Sequence, residues 1–306
     1  MTQSPWPMRM SDPDARSAFR RDVESGATLV VPGASSALIA RLIEDAGYPA
    51  TYVTGAGIAN SYLGMPDIGL LSLTELSAHV AAMRNVVDSP LIVDADTGFG
   101  DAVNTWHTVR VLERAGASAV QIEDQTFPKR CGHFAGKSTI PSEEMVEKVR
   151  AAVDARTDPN LLIVARTDAR AEQGLAEACR RACAYRDAGA DVTFVEAPES
   201  EEEIAIIAAE VPGPKVLNIV AGGRTPQLRP DRIAELGYAI ALYANLPLVV
   251  SLHAVRELLG VLRSGDPGSM PPSVTWEQRQ AAVRKPFFDE LGDRYSPTVQ
   301  AETPGR

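Results

Sequence analysis

The chain has 306 residues, 45% of them hydrophobic and 23% charged, with a formal net charge of −10. That length suits one large domain with a full core, and the negative balance argues against nonspecific binding to nucleic acid or to an anionic membrane surface. No apolar run approaches the roughly 20 residues of a membrane span, and three cysteines (Cys131, Cys179, Cys183) without framework spacing point to a reducing compartment.

Residues 1–14 carry prolines and no apolar core, so neither a signal peptide nor an ordered element is expected there, and a cytoplasmic protein is expected. The first strand is read at Leu29-Val30-Val31. A unit then recurs in which a helix ends in Gly and a strand follows at once. It appears as Gly47 before Thr51-Tyr52-Val53, Gly116 before the strand at 118–122, Gly189 before Val192-Thr193-Phe194-Val195, and Gly237 before the strand at 239–242. Gly just past a helix end takes the left-handed conformation that other residues resist. Ser72 and Glu75 form a capping box that opens a helix continued by Leu76, Val80 and Met83. Further strands are read at 91–93, 161–164 and 216–219.

Eight near-continuous apolar strands alternating with helices describe a parallel sheet covered on both faces. The α/β class is therefore expected, as a (β/α)8 TIM barrel over 15–263, with a doubly wound sheet as the alternative. An apolar helix at 246–262 follows the eighth strand. A Gly/Pro-rich linker (264–272) and a polar helix from about 275 to 291 come next. The last helix carries Trp276, Val283, Phe287, Phe288 and Leu291, too apolar for water, so segment 264–295 is expected to pack on a neighbouring subunit, or else on its own barrel. Residues 296–306 are expected to be disordered.

The C-terminal ends of the strands carry Ser35 and Ser36; Thr54, Gly55 and Gly57; Asp94 and Asp96; Glu123 and Asp124; Arg166 and Asp168; Glu196; Asn218; and Tyr243. A polar ring on one face is what a barrel active site requires. Asp94 and Asp96 leave one strand on the same side and, with Glu123, form an all-oxygen set suited to Mg²⁺ or Mn²⁺. Asp67 is a possible further partner. Arg166, deep in a pocket, needs an anion from Glu196 or from a substrate. Between 123 and 133 stand two acids, Lys129, Arg130, Cys131 and His133, an electropositive setting for a thiol. The segment 131–138 mimics a phosphate loop but has Cys131 where the motif demands Gly, and 55–60 lacks the third glycine of a dinucleotide fingerprint.

These residues together resemble the isocitrate lyase/phosphoenolpyruvate mutase superfamily. The carriers are Thr54-Gly55-Ala56-Gly57, Gly64-Met65-Pro66-Asp67, Asp94-Ala95-Asp96-Thr97-Gly98-Phe99-Gly100, Glu123-Asp124-Gln125, Lys129-Arg130-Cys131-Gly132-His133, Ala165-Arg166-Thr167-Asp168 and Phe194-Val195-Glu196-Ala197. The Lys-Arg-Cys-Gly-His segment resembles the lyase branch, which includes methylisocitrate and dimethylmalate lyases, and also carboxyphosphonoenolpyruvate mutase. The resemblance implies a barrel whose eighth helix is exchanged between subunits of a homotetramer built from dimers. It implies Mg²⁺ held mainly by Asp96, with Asp94, Glu123 and Asp67 around it. Thr54, Gly55, Gly57, Asp94, Lys129, Gly132 and Asn218 would bind a small 2-hydroxy or 2-oxo acid. Cys131, His133, Arg166 and Glu196 would serve catalysis, Cys131 as proton donor, and the 129–133 loop would close as a gate.

Three places depart from the family pattern. Asn218 is followed by Ile219-Val220-Ala221-Gly222-Gly223, with Ala221 where an acid is usual; Tyr243 is followed by Ala244 rather than Pro; and 246–250 lacks the Arg that methylisocitrate lyases use for the distal carboxylate. A smaller or more apolar acid is expected as substrate. The reading is a Mg²⁺-dependent carbon–carbon lyase. A phosphonate-type mutase, an oxaloacetate-type hydrolase or decarboxylase, and a non-catalytic metabolite-binding barrel are the alternatives.

Overall fold

The computed structural model describes residues 13–129, 136 and 138–296. In chain order α1 (Pro13–Glu24) precedes β1 (Leu29–Ala34), α2 (Ala37–Asp45), β2 (Thr51–Val53), the short α3 (Gly55–Ile58) and α4 (Leu73–Arg84). Next come β3 (Leu91–Asp94), α5 (Ala102–Ala115), β4 (Ala119–Glu123), α6 (Ser142–Ala155) and β5 (Leu162–Thr167). The chain continues with α7 (Arg170–Gln173), α8 (Leu175–Asp187), β6 (Val192–Val195), α9 (Glu201–Glu210), β7 (Lys215–Asn218), α10 (Pro230–Glu235) and β8 (Ile240–Tyr243). The last three helices are α11 (Leu246–Ser264), α12 (Trp276–Ala282) and α13 (Lys285–Tyr295). The eight strands are all parallel and close in sequence order into a barrel, β8 pairing back onto β1.

Gly47, Gly116, Gly189 and Gly237 all have positive φ, between 75° and 107°, at the αβ turns where they were expected. Ser72 and Glu75 close the reciprocal cap of α4.

Strand alternation sorts the residues. Leu162, Val164 and Arg166 of β5 point into the barrel, as do Ala119, Gln121 and Glu123 of β4, and register places Glu123 beside Arg166. Each of these two rows is thus apolar low in the barrel and polar at its top. Phe19 and Val23 of α1 close the lower end against Val31, Leu162 and Val192. The helix is tied there by Arg16, which donates to Ala117 O, Glu113 O and Asp158.

Asp124 lies one residue beyond Glu123 and so faces outward, away from the polar ring in which its strand-end position placed it. It accepts from Thr167 Oγ1 (2.7 Å), the Asp168 amide (2.9 Å), Arg181 (3.1 Å) and Tyr185 Oη (2.7 Å), joining β4 and β5 to α8.

The polar C-terminal helix expected from about 275 to 291 is two helices. Arg284 takes φ 57°, and Pro286, in the first turn of α13, has no N–H to continue the ladder. No residue of α11 is buried. Leu252, Val255, Leu259 and Leu262 recur at helical spacing, each about half exposed. An apolar cavity of about 480 Å³ between α2 and α10 is lined by Ile39, Leu42, Tyr48, Pro230, Tyr243 and Pro247. Among the described residues no helix is long and apolar enough to cross a membrane. The N-terminal residues 1–12 and the tail from 297 lie outside the described residues.

Asp124→Ala is expected to lower stability by about 3 kcal/mol or more, because it removes the acceptor of the buried Thr167 and Tyr185 hydroxyls and the Asp168 amide, and one of the carboxylate partners of Arg181. Thermal and urea unfolding measure it; a loss below about 1 kcal/mol would show that the hub is dispensable.

Candidate active site

Two buried cations organise the barrel mouth. The Lys129 ammonium, 4% exposed, is ion-paired to Asp67 and, at 2.9 Å, to Asp96. The Arg166 guanidinium grips Asp168 in a fork, Nε to Oδ2 at 2.9 Å and NH2 to Oδ1 at 3.0 Å. It also stands 3.4 Å from Glu123 and 3.5 Å from Glu196, with its plane 5.2 Å from the Phe194 ring centre. The sequence left Arg166 a choice between Glu196 and a substrate anion; the fold gives it three carboxylates of its own.

Among the described residues the acids outnumber the cations. Asp67, Asp94, Asp96, Glu123, Asp168 and Glu196 face Lys129 and Arg166. Burial, relieved by Lys129 and reinforced by Asp94 and Asp67, pushes Asp96 up to about 7. Burial likewise raises Glu123, against the pull of Arg166. For Lys129, burial alone would lower the pKa, but Asp96, Glu123 and Asp67 together push it well above its ordinary value.

Local structure places each group. Asp94 ends β3, and Asp96 follows in a turn where Asp96, Gly98, Phe99 and Gly100 all have positive φ. Thr54 caps α3, accepting the Gly57 amide at 3.1 Å. A Cβ at Gly55 would lie 3.3 Å from Asp96 Oδ1 and 3.4 Å from Asp94 Oδ2, so the glycine leaves open the space those carboxylates face. Asn218 Nδ2 donates to Glu196 Oε1 at 3.5 Å.

The fold therefore brings together the predicted Thr54, Gly55, Gly57, Asp67, Asp94, Asp96, Glu123, Lys129, Arg166, Glu196 and Asn218. Cys131, Gly132 and His133 lie outside the described residues.

Three residues escaped the sequence reading. Tyr52 donates to Gln121 Oε1 (3.1 Å), and Gln121 Nε2 donates to Asp94 Oδ1 (3.2 Å), a buried chain that fixes the Asp94 carboxylate. An amide inside the otherwise apolar strand 119–122 was the available signal. Asn245, after β8, accepts from Thr54 Oγ1 at 2.9 Å, a contact that no local pattern announces.

As to a metal, no three described His, Cys, Asp or Glu side chains are gathered as a ready ligand cluster. The donor chemistry nevertheless fits a hard divalent cation. Every donor is a carboxylate oxygen, the acids are in excess, and the buried Glu123 Oε1 has no hydrogen-bond donor among the described residues.

Residues 19–262 match the family model of phosphoenolpyruvate phosphomutase. The chain belongs to this family. It is 45% identical over 252 residues to 2,3-dimethylmalate lyase of Eubacterium barkeri, covering 82% of this chain and 87% of that protein. It is 46% identical over 241 residues to 2-methylisocitrate lyase of Aeropyrum pernix, covering 79% and 77%. A crystal structure of phosphonopyruvate hydrolase in complex with oxalate and Mg²⁺ superposes with a TM-score of 0.82 at 33% identity, covering 92% of this chain and 99% of that one.

Asp96 binds its proton more tightly folded than unfolded, so its contribution to stability is full below about pH 4 and is lost as pH rises through about 7. Thermal unfolding in EDTA is expected to show stability falling across that window for the wild type and a flatter profile for Asp96→Asn. Identical pH profiles would refute the assignment.

Proposed function

We propose that this protein is a Mg²⁺-dependent carbon–carbon lyase that cleaves a 2-hydroxy dicarboxylate into a 2-oxo acid and a carboxylate. The observation that carries the reading is the buried ring at the barrel mouth, in which Arg166 and Lys129 are outnumbered by carboxylates that face the glycine-lined opening at Gly55. Two lyases among its relatives, at 45% and 46% identity, support the same reaction class.

Asp96 would hold the metal, with Asp94, Glu123 and Asp67 around it. When bound, Mg²⁺ supplies Lewis-acid stabilisation of developing charge on the substrate oxygens. The chain does the rest. Thr54, Gly55 and Gly57 bind the 2-oxo acid portion of the substrate, and Asn218 orients its carboxylate. The Tyr52–Gln121–Asp94 chain keeps Asp94 in one orientation. Arg166, locked by Asp168, offers a fixed positive charge where negative charge grows as the hydroxyl proton passes to a carboxylate of the mouth, Glu196, and the adjacent C–C bond breaks. The second fragment, left as a carbanion next to its carboxylate, takes its proton from Cys131. The loop that carries Lys129 and His133 excludes water while it does so.

Ala221, Ala244 and the apolar stretch 246–250 favour a substrate with no large distal acid, such as a methyl-substituted malate, over methylisocitrate. The exposed apolar seam of α11 and the apolar cavity between α2 and α10 further support exchange of α11 between subunits, within a homotetramer.

NMR of the protein with Mg²⁺ and a panel of dimethylmalate, citramalate, methylisocitrate and oxaloacetate is expected to show a 2-oxo acid forming from a methyl-substituted malate, abolished by EDTA. Cys131→Ser is expected to cost at least about 10²-fold in kcat, the usual scale for a lost acid–base group. Release of inorganic phosphate or of a carbon–phosphorus product from phosphonate substrates alone would instead assign the mutase or hydrolase reaction. For the assembly, light scattering is expected to give a tetramer that Val255→Asp with Leu259→Asp reduces to a smaller species; an unchanged mass would refute the exchange.

A further inference from the structure

Lys148 is a buried cation that the chemistry above leaves unused. It stands in the second turn of α6, 2% exposed, and its Nζ donates to the backbone carbonyl of Thr97 at 2.5 Å. A buried ammonium is costly unless it is held by acceptors and nearby negative charge. Here burial lowers its pKa, and Glu144, Glu123 and Asp124 act against that.

Thr97 belongs to the turn that follows β3. Asp96 at φ 48° and Phe99 at φ 60° both occupy the left-handed region, which side chains with a Cβ resist. Such a turn persists only where its surroundings over-determine it. Here three successive carbonyls are pinned by three different elements. The Glu123 amide of β4 donates to Asp96 O at 2.9 Å. Lys148 of α6 donates to Thr97 O. Thr108 Oγ1 of α5 donates to Gly98 O at 3.0 Å. Of the three clamps, that of Lys148 alone carries charge. It also reaches the turn from the helix that begins where the 129–141 segment ends.

We propose that Lys148 is a positioning residue which, through the Thr97 carbonyl, holds the strained turn that presents the Asp96 carboxylate and thereby sets the affinity of the mouth for a divalent cation. The inference rests on the metal reading above, and its test separates the two.

Lys148→Met and Lys148→Arg would be compared with the wild type by hydrogen exchange of residues 94–100 in metal-free protein, and by Mn²⁺ titration followed by electron paramagnetic resonance. For Lys148→Met, exchange in 94–100 is expected to speed up and the Mn²⁺ Kd to rise at least about 10-fold, the scale for losing a group that orients a metal ligand. Substrate KM at saturating metal should move less than about 2-fold, since the clamp touches no substrate. Lys148→Arg keeps a buried charged donor and is expected to stay within about 3-fold of wild type. A folded Lys148→Met with wild-type exchange and wild-type Mn²⁺ affinity would overturn the proposal. Should that variant not fold, Lys148→Gln, which keeps an N–H donor and drops the charge, is expected to show the same two changes at smaller amplitude, and wild-type values in it would overturn the proposal equally. If the wild type binds no Mn²⁺, the metal reading fails, and exchange of 94–100 alone decides the clamp.

Discussion

The structure depends on a balance of buried charge at the top of the barrel. Carboxylates from β3, β4, β5 and β6 converge there, and burying them together is tolerable only because Lys129 and Arg166 are buried with them. The compensation is incomplete, which is why burial holds Asp96 and Glu123 above the ordinary carboxylate range. Under the metal reading proposed above, a hard divalent cation would relieve this imbalance.

Around that balance the fold supplies rigidity in layers. Asp168, fork-paired to Arg166, fixes the guanidinium between Glu123 and Glu196. Asp168's amide is in turn held by Asp124, whose other acceptor bonds reach Arg181 and Tyr185 on α8. Gln121 and Tyr52 brace Asp94 from inside the barrel. The turn after β3 holds Asp96 and Phe99 at positive φ, and it is pinned from outside by Lys148 and Thr108.

The periphery follows a different logic. The seven helices α2, α4, α5, α6, α8, α9 and α10 each bury residues against the sheet, whereas α11 buries none. An apolar helix face in water and an apolar cavity beside β1 and β8 are complementary deficits. In the chain taken singly neither is met, and both lie at the barrel's eighth position.

Much of this was legible in the residues one after another. Four glycines marked four αβ turns because only glycine takes left-handed φ there without penalty. Strand alternation carried Asp94, Glu123, Arg166, Glu196 and Asn218 to one mouth, because side chains two apart on a strand share a face. The same alternation, applied one residue further, turns Asp124 outward into a structural hub that strand-end position alone had placed in the ring. What the sequence could not determine was partnership. Lys129 with Asp67 and Asp96, Asn245 with Thr54, and Lys148 with Thr97 join residues 33 to 191 positions apart. Local periodicity sets which way a side chain points. Which group it meets is decided by barrel closure, which brings distant strand ends and helix starts within a hydrogen bond of each other.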